Sequence, residues 1–206
     1  MGMVRNALVA AAFGVAGLVS TQAHATLIIS ANGTSMGSDS TNMATSFTGS
    51  VGGFNINIVS AIGQAAFGSN GELLDVSSLD VSSGGSGTLK LLITETGVTA
   101  SALANFAASF TGNITGANVT RSIYLDTTNS GLESTLIGST TLASQAFSLS
   151  NVSLSGPFSL VEEIDITAFN AGATLSSDDN VTVPEPMSLA LVGAGLLGLG
   201  LIRRRK

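Results

Sequence analysis

Apolar and polar residues alternate with a period of two along much of the chain. Phe54, Ile56 and Ile58 fall on one side with Asn55 and Asn57 on the other, and Leu89, Leu91 and Ile93 oppose Lys90 and Thr94. Such alternation predicts strands with one buried and one solvated face. Arg121-Ser122-Ile123-Tyr124-Leu125-Asp126 and Phe147-Ser148-Leu149 repeat it, and turn-forming clusters at Ser83-Gly84-Gly85-Ser86-Gly87 and Asn129-Ser130-Gly131 separate the runs. Leu27-Ile28-Ile29 predicts a first, edge strand that gives way to a Gly-, Ser-, Asn- and Asp-rich loop through Asp39.

In the last long run, Phe158, Leu160, Ile164, Ile166 and Ala168 share a face, and the same phase turns Glu162 inward. An unpaired buried carboxylate is costly, so a bulge or an edge position is expected near Glu162-Glu163. Helix is scarce. Leu103, Phe106 and Phe110, spaced by three and four within an Ala-rich stretch, fit a short helix over Ser101 to Ser109, and a strand starting at Phe106 fits as well. Leu74-Asp75-Val76-Ser77-Ser78 is echoed by Leu79-Asp80-Val81-Ser82-Ser83, but two copies do not make a solenoid. Many short strands, frequent glycines and abundant Ser and Thr predict an all-β chain. The expected architecture is an antiparallel β-sandwich, jelly-roll-like, with at most one short helix.

Two stretches break the alternation. Near the start, Arg5 precedes an apolar run from Ala7 to Val19 and then Ala23-His24-Ala25, a small-x-small pattern. This predicts a secretory signal peptide over residues 1–25, cut after Ala25 by signal peptidase once the secretion machinery has engaged it. The run is shorter than the roughly 17–25 apolar residues that span a bilayer. At the other end, Val183-Pro184-Glu185-Pro186 leads into an apolar run from Met187 to Ile202 and then Arg203-Arg204-Arg205-Lys206. Prolines end the fold, the run predicts a transmembrane helix over 187–202, and the basic end 203–206 stays in the cytoplasm. At 1.5 Å per residue this helix is about 24 Å long, short for a bilayer core of roughly 30 Å. Residues 26–182 are left as the exported domain and 183–206 as a tail.

The order of that tail, Pro184-Glu185-Pro186, a glycine-rich apolar run and an arginine-rich end, resembles the PEP-CTERM family of exported bacterial proteins. The resemblance implies recognition of Pro184, Glu185 and Pro186 by an exosortase. It further implies export across the inner membrane, transient or stable anchoring by the C-terminal helix, then a place at the cell surface or outside it, associated with extracellular polysaccharide. Related tails occur on some ice-binding proteins, but Thr94 and Thr96 stand alone here and form no flat threonine array.

Charge and composition narrow the chemistry of the domain between the ends. From Thr26 to Val183, twelve carboxylates meet only Lys90 and Arg121, a formal charge of −10. Nucleic acid and anionic lipid both demand clustered Lys and Arg and are excluded as partners. There is no cysteine or tryptophan, and the single histidine is His24 in the signal segment. Ser-His-Asp and Cys-His catalysis are therefore closed, zinc and copper lose their usual ligands, and a Ser-Lys pair would need Lys90, which alternation places on a wet face. Paired acids drawn from Glu162, Glu163, Asp165, Asp126 and Glu95 could serve a glycoside hydrolase, but without aromatic platforms beside them. Hard oxygen donors for calcium occur at Asp178-Asp179-Asn180 and at Asp75 and Asp80. The leading expectation is a cofactor-free, noncatalytic surface or matrix protein. The alternatives are a calcium- or carbohydrate-binding adhesion module and a carboxylate-dependent glycoside hydrolase.

Overall fold

The computed structural model describes residues 25–67 and 71–184. Within them run β1 (Thr26–Ala31), β2 (Thr34–Asp39), β3 (Ala44–Val51), β4 (Phe54–Gly63), α1 (Gln64–Phe67), β5 (Glu72–Ser83) and β6 (Gly87–Val98). They are followed by β7 (Leu103–Thr115), β8 (Ala117–Asp126), β9 (Thr135–Thr140), β10 (Gln145–Ser153), β11 (Phe158–Ala168) and β12 (Thr174–Thr182). Residues 1–24 of the expected signal peptide, Glu185, Pro186, the expected transmembrane helix over 187–202 and the basic end 203–206 lie outside the described residues. Among the described residues, no helix is long and apolar enough to cross a membrane.

The strands form two six-stranded antiparallel sheets, A in the order β2-β1-β6-β11-β8-β9 and B in the order β10-β7-β12-β5-β4-β3. Their inner faces share one core, to which Leu27, Ile29, Leu91, Ile93 and Ile164 come from sheet A and Ile56, Ile58, Phe106 and Leu175 from sheet B. Phe106 and Phe158 meet across the layers edge to face, with ring centroids 5.6 Å apart. Each such side chain, taken fully out of water, contributes about 1.5–3 kcal/mol, and this burial holds the cysteine-free sheets together.

Three expectations need correction. The residues after Ile29 are not a loop: Asn32 (φ 48°) and Gly33 (φ 77°) make a two-residue turn, and β2 pairs back on β1. Left-handed φ at both turn positions matches strand twist, which is why Asn-Gly suits a tight hairpin. β2 is thus the edge strand, and β1 lies between it and β6. Of the two readings of Ser101 to Ser109, the helix is corrected and the strand holds, starting at Leu103 rather than at Phe106. In β7, Ala104, Phe106, Ala108 and Phe110 are buried at strand period, because the alanines let the large rings fill the same inner face. Finally, β11 carries no bulge or edge at Glu162-Glu163. It lies in the middle of sheet A, its register with β8 runs unbroken from Ser159 to Ala168, and its irregularity against β6 falls at Phe158–Leu160.

Two bulges in sheet B bear on the placement of its acids. Against their outer neighbours β3 and β12, β4 and β5 each take an extra residue, near Val59-Ser60 and Ser77-Ser78. Ser78 sits at φ 54°, and its N–H donates to Asp178 Oδ1 at 2.6 Å. In a regular strand Asp75 and Asp80, five residues apart, would point to opposite faces. The extra residue resets the phase, so Val76, Leu79 and Val81 are buried while Asp80 faces water and Asp75 is half-buried on the outer side.

Candidate functional site

The interior holds two acid sites that period alone did not reveal. In the first, Glu162 of β11 meets Asp179 of β12 and Arg121 of β8, all nearly inaccessible to solvent. Arg121 Nη1 donates to Asp179 Oδ1 at 2.9 Å, and Nη2 donates to the carbonyls of Leu142 (2.9 Å) and Ala143 (2.6 Å). The guanidinium also lies 4.8 Å from the centroid of the Phe110 ring. Burial, and then the neighbouring Asp179 charge, push the Glu162 carboxyl well above the carboxylate range. Burial raises Asp179 too, opposed by its hydrogen bonds and by Arg121. Glu162 is the proton carrier of the group, since Asp179 has the cation. The inward phase of Glu162 was legible. Its compensation, Arg121 in phase with Ile123 and Leu125, was the signal overlooked.

In the second site, Glu95 is fully buried where the β2–β3 connection meets α1. Its Oε1 accepts from Asn42 Nδ2 at 2.5 Å and from the Gln64 N–H at 2.6 Å. Burial outweighs both bonds and pushes the carboxyl up to about 8. It is therefore neutral near pH 7, held by donors rather than by a cation.

The other expected acids are dispersed. Asp126 Oδ1 and Oδ2 accept from the Thr128, Ser130 and Leu132 N–H groups and from the Thr128 hydroxyl. Burial pushes this carboxyl up, but the bonds, led by Thr128, outweigh it and bring it to about 2. Glu163, on the outer side of β11, pairs with Lys90 at 2.7 Å, and Lys90 reaches Glu133 at 3.1 Å. Asp165 is exposed opposite Lys90 in register. Glu162 and Asp179 are thus brought together in the closed core, while Glu163, Asp165, Asp126 and Glu95 stay apart.

Of the proposed calcium donors, Asp75, Asp178, Asp179 and Asn180 line one shallow hollow of about 230 Å³ on sheet B, and Asp80 lies in another. Within the first, Asp179 is engaged by Arg121, Asp178 by the Ser78 N–H and Asp75 by the Ser77 hydroxyl. Among the described residues no three His, Cys, Asp or Glu side chains converge as a metal-holding group.

The hollow around Asp80, about 550 Å³, lies on the outer face of sheet B. Two cross-strand rows line it: Ser50, Asn55, Ser82 and Thr174, then Thr48, Asn57, Asp80 and Ser176. Their apolar neighbours Ile56, Val81 and Leu175 point into the core. Thr48 donates to Asn57 Oδ1 at 2.8 Å and Ser50 donates to Asn55 Oδ1 at 2.6 Å.

The tail leaves the fold at the end of β12. Val183 N–H donates to the Gly71 carbonyl at 2.6 Å, and the next residue, Pro184, is exposed. The expected sorting residues Glu185 and Pro186 follow outside the described residues. The expected cleavage residue Ala25 lies immediately before β1, half-buried against Gly97.

No curated protein matches this sequence. Among solved structures, the chain is similar to TmCBM61 in complex with β-1,4-galactotriose, at 7% identity, covering 77% of this chain and 88% of that one with a TM-score of 0.38. It is also similar to the enzymatically active domain of bacteriophage CBA120 tailspike protein 4, at 12% identity, covering 79% of this chain and 20% of that one with a TM-score of 0.36. At such scores neither likeness bears on ligand or activity. The C-terminal match is of another kind: residues 182–206 fit the family model of the PEP-CTERM protein-sorting motif, so the chain ends in that sorting motif, beginning on the last residue of β12.

Proposed function

We propose that this chain is an exported bacterial surface or matrix protein, sorted by an exosortase through its C-terminal tail. Its β domain acts noncatalytically in association with extracellular polysaccharide. The observation that carries this reading is the sorting motif at residues 182–206, which begins on the last residue of the closing strand β12. Tying Val183 to Gly71 fixes the point at which the exposed Pro184 leaves the fold. The noncatalytic half of the reading is supported by the carboxyl groups themselves. Glu162 and Asp179 face each other in the interior, and of the other acids that share an open hollow Asp178 is held by the Ser78 N–H and Asp75 by the Ser77 hydroxyl.

Replacing Pro184, Glu185 and Pro186 together with alanine in the producing bacterium tests the sorting reading. The native protein is expected in the envelope or medium with an altered tail mass, and the variant is expected to stay full length at the inner membrane. Identical mass and location for both would end it.

A further inference from the structure

We infer that the hollow on the outer face of sheet B binds a neutral, hydroxyl-rich glycan segment, with the Asn55 and Asn57 amides and the Asp80 carboxylate as its principal contacts. This deepens the matrix reading given above and rests on it. Several observations fix the ligand class. Ser50 and Thr48 each donate to one amide oxygen, which orients the amide NH2 groups of Asn55 and Asn57 as donors to a ligand. Asp80, the register partner of Asn57, sets an acceptor beside those donors, and the phase reset at Ser77-Ser78 is what turns it outward.

The rows repeat at about 4.8 Å between strands and about 6.8 Å along a strand. That spacing is comparable to the spread of hydroxyls around one pyranose ring. A volume of about 550 Å³ admits a short oligosaccharide segment. No basic residue lines the hollow, so an anionic ligand would meet Asp80 uncompensated. Ile56, Val81 and Leu175 beneath it are buried, so the carbon surface of the hollow comes from the stems of its polar residues and from backbone. A peptide adding as a strand would pair at the free edge of β3 and not over β4, β5 and β12, which already have partners on both sides. What fits is a ligand dense in both donors and acceptors and without net charge.

The test is binding of the full-length chain, in detergent micelles, to an array of neutral and uronate-containing oligosaccharides. The expected result is retention of neutral members, insensitive to added salt because no ion pair forms. The double variant Asn55→Ala/Asn57→Ala and the single variant Asp80→Ala should each weaken retention about tenfold or more. Thr167→Val, on the outer face of sheet A, should leave it unchanged. Thermal melting alongside the array shows whether each variant is folded. An array blank for neutral glycans, retention of uronate members only, or undiminished retention by the folded double variant would overturn the inference. Sorting is read separately from mass and location, so a blank array with an alanine-sensitive tail would remove this inference and leave the sorting reading standing.

Discussion

The outer faces of the two sheets are built from similar alternating strands and end in opposite conditions. Sheet A is covered. The connection after β8 turns at Asp126, folds over the sheet so that Gly131 approaches Thr94 and bonds Ser159, and is held at its far side by Glu133 on Lys90. Beneath it Ser159, Val161 and Glu163, which alternation turns outward, are buried. Sheet B is bare over β4, β5 and β12, and its Asn, Ser, Thr and Asp80 side chains remain in water. Charges on the covered face are consumed by structure: Asp126 by four donors in its own connection, Lys90 by two carboxylates. Polar side chains in the two rows of the hollow bond at most to a neighbour in the same row, and this leaves them available to a ligand.

The largest effect should come from the interior that both faces share. Arg121→Met strands Asp179 and leaves the Leu142 and Ala143 carbonyls without their donor, and urea denaturation should show a loss of about 3–5 kcal/mol. A loss below about 1 kcal/mol would mean the network is not the joint between the sheets. Next, Asp126→Ala should strip the cover from sheet A alone, costing about 1–3 kcal/mol and speeding hydrogen exchange at Ser130 and Leu132 while leaving β4 and β5 protected. Equal exchange at both faces would erase the contrast. The same latch has a pH signature. Because folding lowers the Asp126 carboxyl to about 2, its contribution is complete above the ordinary Asp range and is lost as pH falls through about 2.

Glu95 has the opposite sign. Its carboxyl is raised to about 8, so the folded state keeps a proton that the unfolded state releases, and stability declines as pH rises from about 4.5 to about 8. Glu95→Gln copies the protonated form and should flatten that decline, with a gain on the order of 1–2 kcal/mol at pH 8 read from melting curves. A slope unchanged by the substitution would contradict the neutral assignment. The smallest effect belongs to the bare face. Asp80→Asn should alter stability by less than about 0.5 kcal/mol, because its carboxylate supports nothing in the fold. A larger loss would place Asp80 among the structural acids.

How much of this was legible in sequence depends on whether a feature is local. Leu89, Leu91 and Ile93, like Phe54, Ile56 and Ile58, are buried as alternation predicts, because a strand with one wet face leaves that trace. The tail was legible for the same reason, being a linear order of prolines, apolar residues and basic residues. Asn32-Gly33 was a readable hairpin signal, passed over because the Ser- and Gly-rich β2 lacks apolar alternation. β7 misled because Leu103, Phe106 and Phe110 satisfy a helical spacing while Ala104 and Ala108 complete a strand face. The Arg121–Asp179 pair joins residues 58 apart in sequence on facing sheets, and the rows of the hollow depend on the registers of four strands and on the extra residues in β4 and β5. No period records either.

On the proposed reading, the bare polar face serves an exported domain that meets a polymer, so sorting through the tail is the claim on which the rest depends. The intact mass of the protein recovered from the envelope and medium of the producing bacterium tests it most directly. The account predicts a chain that begins at Thr26 and no longer carries the unmodified segment from Met187 to Lys206. Recovery of a chain still ending in unmodified Arg203-Arg204-Arg205-Lys206 would contradict it.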